Sequence, residues 1–167
     1  MNKSKKFYLP VAKSTIVEEL VLLAKSQDPF RRYYNFGVKK VDEHLIREDN
    51  FLRSLNRVHP FSAGILLIPS NSIYNWHTDD KRGVSVNMML SVKDSHCIFM
   101  DEDFEMVNTI QELRYEFGTY YLFNSQKFHS VINFENSRLM FSVEFDEDKN
   151  RLSYDQLVDE YENGAFA

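Results

Sequence analysis

The chain has 167 residues, 43% hydrophobic and 27% charged, enough for one domain with a full core and the composition of a globular protein. A net charge of −5 supplies no global field for nucleic acid or anionic membranes, and no apolar run approaches the roughly 18 residues that span a bilayer. The single Cys97 excludes an internal disulfide and fits a reducing compartment, so a cytoplasmic location is expected.

In chain order, a basic start leads into a short extended piece at Phe7-Tyr8-Leu9. Thr15 precedes Glu18 by three, a capping-box signature, and Ile16, Val17, Leu20, Val21, Leu23 and Ala24 recur at helical spacing. A helix over about 15–26 is expected, packed outside a sheet and ended by Asp28-Pro29. Arg31-Arg32-Tyr33-Tyr34 and Lys39-Lys40 gather basic and aromatic groups, either as a solvated face with snorkelling stems or as a substrate-entry surface. Asp49 or Asn50 can cap a short helix through Leu52 and Leu55. His44 and His59 have no partners at ligand spacing and read as surface or partly buried histidines.

From Ser62 the pattern is that of strands. Residues 63–69 and 73–79 flank a turn at 70–72, and residues 84–92 alternate, with Val84, Val86, Met88, Leu90 and Val92 on one face and Ser85, Asn87, Met89 and Ser91 on the other. An acidic hairpin tip follows at Asp101-Glu102-Asp103, read as a charged turn rather than a calcium site. Strands at 118–124 and 128–145 and a polar helix from about Tyr154 to Tyr161 complete the chain. Many short antiparallel strands with one helix before them suggest a mainly β jelly-roll, a double-stranded β-helix barrel with an N-terminal helix outside and a short C-terminal helix. One domain over 1–167 is expected: a helical support region 1–60, a β-barrel core 61–146 and a C-terminal helical segment 147–167.

The chemistry concentrates in Trp76-His77-Thr78-Asp79-Asp80, His129 and Arg138. In an extended segment His77 and Asp79 share a face with α-carbons roughly 7 Å apart, close enough to grip one metal ion. Two histidines and a carboxylate on one face, with other positions open, form the ligand set of non-haem iron oxygenases; zinc accepts the same donors. A hairpin pairing 129–133 with 138–145 around the loop 134–137 would put Arg138 on the side of His129, about 13 Å away along the strands. Trp76 and Thr78 would then point away from the metal, and Trp76 into the core.

These residues, with Gly118-Thr119-Tyr120-Tyr121-Leu122-Phe123-Asn124, Phe128-His129-Ser130-Val131-Ile132-Asn133 and Ser137-Arg138-Leu139, resemble the Fe(II)/2-oxoglutarate-dependent oxygenase superfamily, within it the aspartyl/asparaginyl β-hydroxylase-like branch that includes free proline hydroxylases. The resemblance covers roughly residues 61–146. It implies His77, Asp79 and His129 as iron ligands and catalytic centre, and Arg138, Ser142 and Tyr120 as partners of the 2-oxoglutarate carboxylate. Arg82, Asn87 and Lys127 are candidates to face substrate. It also implies oxidative decarboxylation of 2-oxoglutarate with O2 to succinate and CO2, coupled to hydroxylation of an unactivated C–H bond on an amino-acid side chain, free or in a peptide. The carboxylate of Asp79 favours hydroxylation, because halogenases of the superfamily carry a small residue there. Two other readings share the ligand set: a nucleobase-modifying oxygenase and a non-catalytic cupin-like binding barrel. The sequence leaves substrate, stereochemistry and oligomeric state open.

Overall fold

The computed structural model describes residues 3–91, 95–100 and 110–167; the acidic tip 101–103 and Val92 lie outside them. In chain order the elements are β1 (Tyr8–Lys13), α1 (Val17–Lys25), β2 (Arg31–Tyr33), β3 (Phe36–Lys40), α2 (Glu43–Glu48), α3 (Asn50–Val58), β4 (Phe61–Ile68), β5 (Ser72–His77), β6 (Val84–Met89), β7 (Ser95–Met100), β8 (Ile110–Leu113), β9 (Thr119–Asn124), β10 (Phe128–Asn133), β11 (Arg138–Phe145) and α4 (Tyr154–Glu162). The strands form two sheets, ordered β1-β9-β6-β11-β4-β3-β2 and β5-β10-β7-β8. All strand pairs are antiparallel.

Strand periodicity sorts each side chain of the large sheet to one of two faces. Val84, Val86 and Met88 of β6, Tyr120 and Leu122 of β9, and Phe141, Val143 and Phe145 of β11 pack with Ile16, Leu20, Leu52, Leu55, Leu157 and Val158 of the helical layer. The alternate residues turn toward the small sheet, where Tyr121 and Phe123 join Cys97, Phe99, Leu113 and Val131. The N-terminal 60 residues are not only a helical support, since they contribute β1, β2 and β3 to the large sheet.

Three helix starts follow local capping chemistry. The side chains of Asp42, Asp49 and Ser153 accept from the amides of His44, Leu52 and Gln156. The expected Thr15–Glu18 capping box does not form. The helix starts one residue later than that box requires, with Ile16 at the cap and no side-chain bond there, because Thr15 gives both its amide (2.9 Å) and its hydroxyl (3.2 Å) to Asp49. Asp49 is 1% exposed and also accepts from the Leu52 amide and the Tyr120 hydroxyl. A buried carboxylate needs that many donors, and its demand outweighs a helix cap.

The expected hairpin between 129–133 and 138–145 is also absent. β10 pairs with β5 and β7, whereas β11 pairs with β4 and β6, so residues 134–137 carry the chain from one sheet to the other. Arg138, Met140 and Ser142 nonetheless face the space between the sheets, because Phe141, Val143 and Phe145 take the helix side.

His59 is buried at 5% exposure, more deeply than the expected surface or partly buried position. Its Nδ1 lies 2.5 Å from Glu147 and its Nε2 2.6 Å from Glu160, tying the end of α3 to α4. Burial opposes the charged ring, but the two carboxylates outweigh it and raise its pKa. A raised folded pKa stabilises the fold below the ordinary histidine range and loses that contribution as pH rises through the folded value. The midpoint of thermal unfolding is therefore expected to fall between pH 6 and pH 9 as this contribution is lost. His59→Gln should flatten that slope; an unchanged slope in the variant would exclude the clamp as its source.

Candidate metal centre

His77 and His129 are directly opposed across β5 and β10, with ring centroids 4.3 Å apart. β5 ends at His77, so Asp79 arrives from a loop rather than from an extended strand. That loop is held: the Asp79 amide donates to the Ser125 carbonyl, and Gln126 Nε2 donates to the carbonyls of Asp79 and Arg82. Farther along, the Lys149 amide donates to the Lys81 carbonyl. Gly83 sits where any Cβ would come within 2.2 Å of the Leu152 carbonyl oxygen, so only glycine lets the loop dock this closely.

Both histidine rings are held by backbone carbonyls. His77 Nδ1 is 2.6 Å from the Asn75 carbonyl and His129 Nδ1 is 2.8 Å from the Lys127 carbonyl. A carbonyl only accepts, so both Nδ1 atoms carry protons, and in the neutral ring the lone pair then lies on Nε2. Burial holds the His129 pKa down to about 4, which keeps that ring neutral. The donor atoms of His77, Asp79 and His129 all lie within 4.8 Å of one another, a span that one ion with bonds of about 2 Å draws in by small side-chain rotations.

The same three residues line a cavity of about 160 Å3 between the sheets, together with Arg138, Ser142, Asn87, Cys97 and Tyr115. Arg138 is 1% exposed. Its Nη1 donates to Ser95 Oγ at 2.9 Å and its Nη2 reaches Met140 Sδ at 3.3 Å. Its Nε is buried without a partner, and its guanidinium carbon lies 5.3 Å from the centre of the Tyr115 ring. Among the described residues it forms no ion pair: Asp79 faces Arg82 at 2.8 Å, and Glu144 is exposed. Burial raises the Cys97 thiol to about 11, so no thiolate compensates the charge. A buried cation without a counter-ion costs several kcal/mol. An anion in the cavity would offset that cost.

Tyr115 carries no motif and lies in the irregular stretch after β8, yet its buried hydroxyl has no hydrogen-bond partner. Burial pushes its pKa upward, leaving a protonated donor beside Arg138. Tyr120, by contrast, faces the helices, its hydroxyl bonded to Ser14 (2.8 Å) and Asp49 (3.2 Å). Ser142 reaches the cavity but donates to Asn87 at 2.8 Å. Arg82 lines the wall against Asp79, and Asp79 Oδ2 nevertheless lacks an aligned donor. Lys127 is not among the lining residues, and Trp76 is partly exposed and belongs to neither core cluster.

No family model and no curated protein matches the chain. Solved structures do. A Pseudomonas putida prolyl-4-hydroxylase superposes with a TM-score of 0.62 at 15% identity, covering 84% of this chain and 92% of that one. A prolyl hydroxylase from Trichoplax adhaerens, in complex with a hypoxia inducible factor oxygen degradation domain peptide fragment, gives 0.59 at 13% identity over 83% and 82%. HygX from Streptomyces hygroscopicus, with nickel, 2-oxoglutarate and hygromycin B bound, gives 0.57 at 14% over 81% and 80%. The fold is the double-stranded β-helix of these oxygenases. The described helices include none long and apolar enough to cross a membrane.

Proposed function

We propose that this chain is an Fe(II)- and 2-oxoglutarate-dependent oxygenase that hydroxylates an unactivated C–H bond of an amino-acid side chain, free or within a polypeptide, with release of succinate and CO2. The observation that carries the reading is the joining, in one cavity, of a three-donor metal face to a buried arginine lacking a counter-ion. A ligand able to satisfy both needs a chelating end and a distant carboxylate, and 2-oxoglutarate has both. The neighbour HygX, crystallised with nickel and 2-oxoglutarate, supports the pairing.

The Nε2 atoms of His77 and His129 and a carboxylate oxygen of Asp79 would hold the ion, leaving its other positions open. Bound iron, with 2-oxoglutarate and O2, supplies the oxidising power that replaces C–H by C–OH. The chain does the rest. The carbonyls of Asn75 and Lys127 hold the two imidazoles in their ligating tautomer and orientation. Arg138 and the Tyr115 hydroxyl would take the distal carboxylate, and the Ser95–Asn133 hydrogen bond (2.7 Å) steadies the serine that holds Arg138. Phe123, Val131 and Met140 line the cavity and keep water from competing for these donors. Ser142 and Asn87, bonded to one another, form a polar wall rather than a carboxylate clamp. Arg82 would balance the charge of Asp79 at the metal.

Under anaerobic conditions the protein with Fe(II) and 2-oxoglutarate is expected to develop a visible charge-transfer absorbance, and admitting O2 should yield succinate at a rate dependent on both. Absence of the absorbance and of succinate would overturn the proposal.

A further inference from the structure

This inference deepens the oxygenase reading and rests on it. A cavity of about 160 Å3 is smaller than the roughly 300–1,000 Å3 of pockets that engulf a drug-sized ligand. With a five-carbon dianion lying between the metal face and Arg138, little of it remains. The molecule to be oxidised must approach across the mouth.

A line of rings stands there. Tyr74 packs edge-on against His77 at 4.2 Å between centroids. Phe36 contacts Tyr74 at 6.3 Å, Tyr33 contacts Phe36 at 5.6 Å, and Tyr34 contacts Tyr33 at 4.7 Å. Phe36 is half-buried within this line, while Tyr74 is 39% exposed, Tyr33 57% and Tyr34 76%. Tyr34 occupies the β2–β3 turn with φ +52°, a conformation that glycine adopts freely and an aromatic residue only under strain. The turn therefore holds a ring in solvent at a position where glycine would fit more easily.

The same hairpin supplies charge and a free edge. Arg31 and Arg32 are both exposed on β2, the terminal strand of the large sheet, whose outer edge has no partner strand among the described residues. A free edge accepts an extended polypeptide as an added strand, and guanidinium groups bind carboxylates with paired hydrogen bonds. Like charges on the edge also oppose its pairing with a second copy of itself. Nucleic-acid binding draws on an extended positive field, whereas the exposed cations of β2 are the two adjacent arginines.

We propose that the β2–β3 hairpin, with Tyr74, is the docking surface for an acidic, extended polypeptide segment, whose target side chain passes Tyr74 to reach the metal face. Three fluorescein-labelled probes test it by anisotropy on the full chain with Fe(II) and 2-oxoglutarate, without O2: a twelve-residue peptide alternating Glu and Thr, its Lys–Thr counterpart, and a twelve-nucleotide oligo-dT. The acidic peptide should bind the wild type at least tenfold more tightly than the other two. Charge reversal (Arg31→Glu with Arg32→Glu) should invert the preference between the peptides, and Tyr34→Gly, which suits the turn, should weaken the acidic peptide at least threefold. Equal affinity for the two peptides, indifference of the acidic peptide to charge reversal, or tighter binding of oligo-dT would each overturn the proposal. The charge-transfer absorbance of the same samples reports separately: its absence sinks the oxygenase reading, while the anisotropy, which needs no turnover, still decides the docking surface.

Discussion

Arg138→Ala is expected to raise the 2-oxoglutarate concentration needed for half-maximal turnover roughly 30- to 150-fold, with little effect on the affinity for Fe(II). A charge-assisted contact to a carboxylate contributes about 2–3 kcal/mol, and here the alternative to that contact is a bare cation between two sheets. Tyr115→Phe removes only a neutral donor from the same end, worth about 0.5–1.5 kcal/mol, so its effect should stay near or below tenfold. Stability separates this role from a structural one. Replacing one member of a buried ion pair destabilises strongly, whereas replacing an uncompensated charge by an apolar side chain of similar volume is neutral or stabilising. Arg138→Met should therefore unfold at or above the wild-type temperature without ligand, and lose the stabilisation that 2-oxoglutarate confers on the wild type. An unchanged dependence on 2-oxoglutarate in Arg138→Ala would refute the assignment.

The second expected result is loss of iron. His129→Ala or His77→Ala leaves two donors of three, and Fe(II) binding in equilibrium dialysis should fall at least a hundredfold, with succinate formation lost. The two variants should differ in stability. His129 is 5% exposed and packed on Phe99 and Phe123, so its truncation also leaves a cavity, of the kind that costs about 2–4 kcal/mol. His77 is partly exposed at the mouth and should cost less. Asp79→Gly should weaken iron as well, and would leave Arg82 without the carboxylate it faces. Full activity in either histidine variant would exclude the triad.

Several features were legible in the sequence because they depend on local chemistry. Strand periodicity decided which of residues 84–90 face the helices, since side chains alternate by geometry alone. The His-x-Asp spacing with a distant histidine picked out three side chains whose donor atoms the fold brings within 4.8 Å of one another, and a cap at Asp49 or Asn50 was readable before a short helix, Asp49 being the one that forms it.

Other features depended on the packing of distant segments. The loop 134–137 is polar and short, as suits a hairpin, yet it bridges two sheets; only the partners of β10 and β11 distinguish the two, and both arrangements turn Arg138 inward. Tyr120 and Tyr121 are adjacent and chemically alike, and which one faces the helices depends on the register of β9 with β1 and β6. Thr15 had the form of a helix cap until a carboxylate 34 residues away took its donors. His59 became a buried clamp because α4 returned Glu160 to it across 101 residues of chain. Tyr115 entered the cavity from a segment without periodicity. Sequence by itself determined the chemistry each strand face carries. Tertiary structure alone decided which faces meet, because burial and hydrogen-bond demand are set by neighbours that no local pattern names.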